Sequence, residues 1–383
     1  MNNFKFWEKY NQMTASHILK LLEEAEKDGR NSLLCDLHIH SNHSSDGKQT
    51  LDEIVETTKK LGFKIIAITD HDDVGVYDEL YKKIKKGKDL KELPIIITGV
   101  EQTVSYKEYG TMCHILKLFI NPKDHGLNKD LRLLSKSYYK RAKIQFERIS
   151  KNKALQDVFK ENQITVSYKE FLKFLKKKNI IPDYAPLIEY IAEKLEQKKV
   201  KTAYVYEKIK LYNSLDSCQQ RKEMCNERFS YLDNKYKTNN INIENNRRFL
   251  LSILAVRGVD DDEFKDFPQT GSLSVNEYGQ VKISKLNENG LTLFAHPGFN
   301  KLSLVKMAKD FGGGIVGIEK NFKSQHEHFD ELENFAKQEN FVFTIGSDAH
   351  SKDDGVYEDL QFYLTQTKQI KKLVDEFRRK NFD

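Results

Sequence analysis

The chain has 383 residues, 39% hydrophobic and 31% charged with only six prolines, so it can form one large domain with an elaboration or two ordinary domains, and a largely disordered chain is excluded. Its 63 Lys and Arg against 57 Asp and Glu leave a formal charge of +6, which suits an anionic substrate without demonstrating nucleic-acid binding. No run approaches the ~18 apolar residues of a membrane span, the N-terminus lacks the basic-then-apolar pattern of an export signal, and Cys35, Cys113, Cys218 and Cys225 show no CxxC spacing, so a reduced, cytoplasmic protein that does not enter a membrane is expected.

In chain order, Ile18, Leu21, Leu22 and Ala25 recur at helical spacing, with Gly29 as a stop, which predicts an N-terminal helix within residues 1–30. From Ser32 short apolar runs alternate with amphipathic stretches: Leu33 to Ile39, Leu51 to Leu61, Ile65 to Thr69, Val74 to Ile84 and Ile95 to Val100. That alternation is a β/α signature. Over residues 121–287 long Lys- and Tyr-rich helical stretches take its place, with Asn239 to Asn246 as a loop. The alternation resumes with Leu291 to Ala295, Ile315 to Ile318 and Phe341 to Ile345. One β/α domain, residues 31–120 and 288–383 with a closing helix, is therefore expected to be interrupted by a large helical insertion at 121–287.

The polar residues at the strand ends carry the chemistry. His38 and His40 lie two apart on the first run, so their rings project from one face of a strand, as half a metal site requires. The next runs end in Asp70-His71 and in Glu101. His114 opens an apolar run, Ala295 leads to His296-Pro297-Gly298, and Ile345 leads to Gly346-Ser347-Asp348-Ala349-His350. Each histidine taken singly reads as a hydrogen-bonded structural residue. Their joint placement at strand ends is how barrel enzymes assemble a site. Asp46-Gly47 alone reads as a turn. His17, His43, His125, His326 and His328 lack the strand-end placement.

The ordered series Asp36-Leu37-His38-Ile39-His40-Ser41, Asp46-Gly47, Thr69-Asp70-His71, Gly99-Val100-Glu101, His114, Ala295-His296-Pro297-Gly298, Gly317-Ile318-Glu319 and Gly346-Ser347-Asp348-Ala349-His350 resembles the PHP (polymerase and histidinol phosphatase) family, over about residues 32–120 and 285–352. The resemblance implies a distorted, roughly seven-stranded β/α barrel with its metal site at the C-terminal ends of the strands. It implies one metal held by His38, His40, Glu101 and Asp348, a second by Asp46, His71 and His350, and a third by His114 and His296 with Glu101 bridging. The aspartate at position 46, where some relatives carry histidine, resembles the nucleotide phosphatase and 5′-3′ exonuclease branch. Imidazole and carboxylate ligands suit manganese, zinc or iron, and the sequence does not choose among them. Asp70 reads either as a support for a ligand or as a loop cap.

Relatives of that branch commonly show Arg-Pro-His in a helical insertion, where this chain has Ile181-Pro182-Asp183-Tyr184-Ala185. Ser167 to Glu170 reads as a capping box. The stretch Lys136 to Lys153 sets seven cations against Glu147, with Tyr138, Tyr139 and Phe146 among them. It is either a nucleic-acid track or a solvated face, with Lys140 and Arg141 as candidate substrate-phosphate contacts. Lys198, Lys199, Lys201, Lys208 and Lys210 read as helix surface. The function expected is a metal-dependent phosphoesterase acting on nucleotides or on the ends of single-stranded nucleic acid, with the insertion hooding the site. The alternatives are a histidinol-phosphatase-like phosphomonoesterase and a regulatory subunit that docks a protein partner through the insertion.

Overall fold

The computed structural model describes the chain apart from residues 1–2, 45, 88–92, 107–110, 179–183, 216–218, 239–241, 243, 245, 248, 252–253, 255–288, 298–313, 323–328, 353 and 383. Gly298, His326, His328 and Ile181 to Asp183 thus lie outside the described residues. Two compact units are present, one of residues 1–135 with 271–383 and one of residues 136–270.

In the first unit the apolar runs become strands β1 (Ser32–Ile39), β2 (Ile65–Ile68), β3 (Ile95–Tyr106), β4 (Thr111–Leu118), β5 (Leu291–Phe294), β6 (Ile315–Asn321) and β7 (Val342–Gly346), with a further strand β8 (Leu364–Gln366). They form one sheet in the order β7-β6-β5-β4-β3-β2-β1-β8. Beyond the strands, the His40 N–H donates to Ala349 O and the Asp348 N–H donates to His38 O, each at 2.9 Å. The sheet is therefore a nearly closed barrel.

Among the described residues eight strands are found where seven are implied, because β8 spans three residues, too few to show a period, and pairs antiparallel with Ser32, Leu33 and Leu34. A second departure is the direction of β4. It pairs antiparallel with both β3 and β5, since a hairpin rather than a crossover helix joins β3 to β4. His114, midway along its strand, consequently stands toward the same end of the barrel as Glu101.

Alternation along the strands separates two cores. Cys35, Ile65, Ala67, Ile97, Leu116, Leu118 and Leu293 pack together inside the barrel. Ile39, Ile66, Ile68, Ile96 and Val100 pack outward with Ile54 and Val55 of α2 (Leu51–Lys60) and Tyr77 and Leu80 of α3 (Val76–Lys85). Each fully buried aliphatic side chain contributes about 1.5–3 kcal/mol relative to exposure. The lower mouth is filled by Ala15, Ile18, Leu22 and Ala25 of α1 (Asn3–Lys27), packed with the same inner core. Buried Asn11 of α1 donates to Phe119 O (3.0 Å) and Ile120 O (2.8 Å), and its carbonyl accepts from Thr98 Oγ1 (2.9 Å). Those bonds satisfy backbone groups where β4 ends.

β1 carries an irregularity that matters for the site. Cys35 pairs with Ile65 and Asp36 with Ile66, but Ile39 pairs with Ile68, so one extra residue is inserted in β1. Before this bulge the inward positions are odd-numbered, and after it they are even-numbered. Without it His38 and His40 would share the outward face of Ile66 and Ile68. A bulge that re-aims side chains beside a site is a recurring device.

The second unit is helical, with α4 (His125–Lys151) entering it, then α5 (Lys153–Glu161), α6 (Tyr168–Lys178), α7 (Tyr184–Gln197), α8 (Thr202–Ser214) and α9 (Gln219–Leu232). Its core holds Phe171, Leu187, Ile191, Leu195, Tyr206 and Phe249. Phe146, a candidate base-stacking residue, is part of this core beside Tyr168 and Phe171. Ser167 Oγ accepts from the Glu170 N–H (3.2 Å), but the Glu170 carboxylate is taken by Lys194 and Tyr190, so half of the expected capping box forms. The complete box is at Thr50 and Glu53, ahead of α2. Lys201, Lys208 and Lys210 pair with Glu244, Glu161 and Asp233 on the helix surface. Among the described residues no helix is long and apolar enough to cross a membrane.

Candidate metal centre

The inward register of β3 that places Ile97 in the barrel core places Glu101 four residues farther along, at the upper mouth. Glu101 is wholly buried and is the hub of the site. Its Oε2 lies 3.1 Å from His38 Nε2, 3.2 Å from His40 Nε2 and 3.1 Å from His71 Nδ1. Its Oε1 lies 3.0 Å from His114 Nδ1 and 2.9 Å from His296 Nε2. One carboxylate thus contacts five histidines drawn from four strands, β1, β2, β4 and β5.

Around this hub the donors fall into groups. His38, His40, Glu101 and Asp348 converge within 4.8 Å, as do His40, Asp46, His71 and His350. His71, Glu101 and His114 form a third group, and His38, His296 and Glu319 a fourth. In the first group His38 Nε2 and His40 Nε2 stand 3.0 Å apart, with Asp348 Oδ1 at 3.5 Å and 3.0 Å from them. In the second, Asp46 Oδ2 lies 3.0 Å from His350 Nε2 and 3.6 Å from His71 Nε2. All nine residues expected from the sequence are therefore brought to one mouth.

Two of them depend on unusual backbone. His296 and Asp348 have φ of 64° and 55°, the left-handed region, immediately past β5 and β7. Such conformations in non-glycine residues cost on the order of 1–3 kcal/mol and persist where the surroundings fix them. The Asp348 N–H is fixed by His38 O.

The residues around the donors complete the picture. Asp70 accepts from Ser41 N–H and from Ser41 Oγ–H (2.7 Å), so it secures the loop after His40 rather than a histidine ring. Two residues that the sequence reading did not place in the site do touch ligands. Buried Ser44 Oγ lies 3.2 Å from His40 Nδ1 and donates to Asp46 Oδ1 (2.8 Å). Glu319 Oε1 lies 2.8 Å from His38 Nδ1. Glu319 ends an apolar strand run, a signal that could have marked it; Ser44 carries none. The side chains of Lys140, Arg141, Tyr184 and Ala185 lie outside the described residues.

The electrostatics suit a cation. Burial alone would raise Glu101, but His71, His38 and His114 hold it well below the carboxylate range. Asp46 is likewise held low against burial, by its hydrogen bond with His350 and by the charge of His71. Burial would lower His40, yet hydrogen bonding to Asp348 and Glu101 raises it to about 10, while burial pushes His71 down to about 3. Ring nitrogens and carboxylate oxygens that face one another at 3.0–3.5 Å across a buried point match the ligand edges of a site with metal bonds of about 2.0–2.2 Å. The donor set therefore fits divalent metal. The floor, His38, His40 and Glu101, is fully buried, whereas Asp46, His114, His296 and His350 are partly exposed, which leaves the mouth open on their side.

One solved structure agrees with this architecture. A structure described as a "putative metal-dependent phosphoesterase" from Bifidobacterium adolescentis is similar over 91% of this chain and 96% of that one, with a TM-score of 0.55 and 18% identity. An amidohydrolase structure from Chromobacterium violaceum is similar over 87% of this chain and 98% of that one, with a TM-score of 0.48 and 15% identity. No curated protein matches the sequence. The family comparison is specific: residues 36–210, which hold His38, His40, Asp46, His71, Glu101 and His114, match the PHP domain family.

Proposed function

We propose that this chain is a metal-dependent phosphoesterase, and that its substrates are nucleotides or the ends of single-stranded nucleic acid. The observation that carries the reading is the gathering of six histidines and two further carboxylates around the buried Glu101, in a chain with a PHP domain match. Bound divalent ions at such a cluster lower the pKa of water and neutralise phosphoryl charge in the transition state. The protein's part is positional. Glu101 ties the donor groups to one another, Asp348 and His40 hold one flank, and Asp46 with His350 hold the flank that is open to solvent. A phosphoester entering from that side meets the ligands that are least buried.

The nucleic-acid preference is supported by charge. Residues 136–270 carry 28 Lys and Arg against 19 Asp and Glu, a net of +9, while the remaining 248 residues carry 35 against 38. A unit this basic in a chain of +6 suits a polyanion. The test is to incubate the manganese-loaded chain with 5′-phosphorylated single-stranded oligonucleotides, mononucleotides and histidinol phosphate in parallel, with Asp348→Ala as control and products identified by mass. Shortened oligonucleotides or dephosphorylated nucleotides that vanish in the variant are expected. Turnover of histidinol phosphate alone would contradict the substrate assignment, and no turnover of any phosphoester would contradict the activity.

A further inference from the structure

Glu319 lies outside the nine donors, yet it is wholly buried and its carboxylate faces the ring of His38, itself wholly buried. His38 is engaged on both nitrogens. Nε2 looks into the cluster, toward His40 Nε2 at 3.0 Å, Glu101 Oε2 at 3.1 Å and Asp348 Oδ1 at 3.5 Å. Nδ1 looks the opposite way, at 2.8 Å from Glu319 Oε1. A neutral imidazole has one N–H and one lone pair, and an ionised carboxylate can only accept. Glu319 therefore selects the tautomer with hydrogen on Nδ1 and leaves the Nε2 lone pair facing the cluster. Behind His40 the matching place is taken by the neutral hydroxyl of Ser44, which donates to Asp46 Oδ1 and so accepts from His40 Nδ1 without the charge that Glu319 brings to His38.

The backbone is cut to fit this contact. A Cβ on Gly346 would stand 2.0 Å from Glu319 Oε1 and 2.4 Å from the Cβ of His38, so a bare backbone is needed where the carboxylate lies against the ring. The second oxygen, Glu319 Oε2, is buried with no hydrogen-bond partner among the described residues. A buried carboxylate satisfied on one side only is a poor structural element, since an apolar side chain of similar volume would avoid its desolvation cost.

We infer that Glu319 is a positioning residue for the metal centre: it fixes the His38 tautomer and ring plane and strengthens Nε2 as a donor, without being a ligand itself. The inference rests on the metal reading proposed above. Outer groups of this kind are worth about 10- to 100-fold in metal affinity.

The test uses full-length wild type, Glu319→Gln and Glu319→Leu, each stripped with a chelator and titrated with Co²⁺. Three quantities are read: the dissociation constants, the visible ligand-field band, and the melting temperature of the metal-free chain. The expected result is a tightest Co²⁺ site weakened about 10-fold in the Gln variant, which keeps an acceptor, and about 100-fold in the Leu variant, which does not. The band should shift in both, and any fall in the metal-free melting temperature from loss of the buried Glu319–His38 pair should not track the loss of affinity across the two variants. Unchanged affinity and spectrum would overturn the inference. So would the loss of a whole equivalent of Co²⁺, which would make Glu319 a ligand, or a fall in metal-free melting temperature that tracks the loss of affinity, which would make it structural. A wild-type chain that takes up no Co²⁺ would overturn the metal reading and this inference with it.

Discussion

Glu101 sets the energetics of the site at the scale of single residues. Placing a carboxylate at full burial is costly unless it is paired, and five histidine nitrogens within 3.2 Å supply the pairing. In the absence of metal some of those nitrogens carry protons, since against burial His38 is raised by Glu319 and then by Glu101 and Asp348, and His40 by Asp348 and Glu101. Metal ligation requires neutral imidazole. Uptake of Mn²⁺ or Zn²⁺ by the metal-free chain should therefore release protons near neutral pH and weaken as pH falls. Calorimetry in buffers of different ionisation enthalpy will show this as a buffer-dependent heat, and a buffer-independent heat would count against it. Ser44 links His40 to Asp46, so Ser44→Ala should cost about 10-fold in metal affinity, read by competition with a chromogenic chelator. Gly346→Ala brings a Cβ within 2.0 Å of Glu319 Oε1, and the resulting strain should destabilise the chain by about 1–3 kcal/mol in urea.

At the scale of elements, the site depends on which way each strand turns its residues. The lower plug should be separable from the upper mouth. Asn11→Ala removes hydrogen bonds to Phe119 O, Ile120 O and Thr98, for an expected loss of roughly 1–3 kcal/mol in urea, with metal dissociation constants unchanged. A matching loss of metal would mean that the two ends of the barrel are coupled. Much of this layout was legible in the sequence. The runs at Ile65 to Thr69, Ile95 to Val100 and Phe341 to Ile345 announce strands by their composition, and the polar residues that follow them are the ones the mouth assembles. Three features were not. The bulge in β1 is a matter of pairing between Asp36 and Ile39 on one side and Ile66 and Ile68 on the other, and HxH spacing is the same with or without it. The reversal of β4 depends on a hairpin, which apolar periodicity does not encode. The Glu319–His38 contact joins residues 281 apart, and no local pattern reports a partner at that distance. Phe146 lies in the helical core rather than on the basic face of α4, which the sequence does not reveal because an aromatic on an amphipathic helix looks alike whether it is core or surface.

For the whole molecule, charge and metal govern behaviour together. Two compact units divide the net charge unequally, +9 on residues 136–270 and −3 on the rest. Cleavage or binding of oligonucleotides should accordingly fall steeply between 50 and 200 mM salt, by on the order of 10-fold or more, whereas turnover of a mononucleotide should change little. Equal salt dependence for both would argue against a polyanion track. The most direct test of the central claim, that the cluster around Glu101 is the metal-dependent catalytic centre, is the hydrolysis of a chromogenic phosphodiester and phosphomonoester by one preparation in three states: as loaded with Mn²⁺, after chelation, and after Mn²⁺ is restored, with Glu101→Gln carried in parallel. The expected result is turnover that disappears on chelation, returns with Mn²⁺, and is absent from Glu101→Gln in all three states. Turnover that survives chelation, or that Glu101→Gln retains, would contradict it.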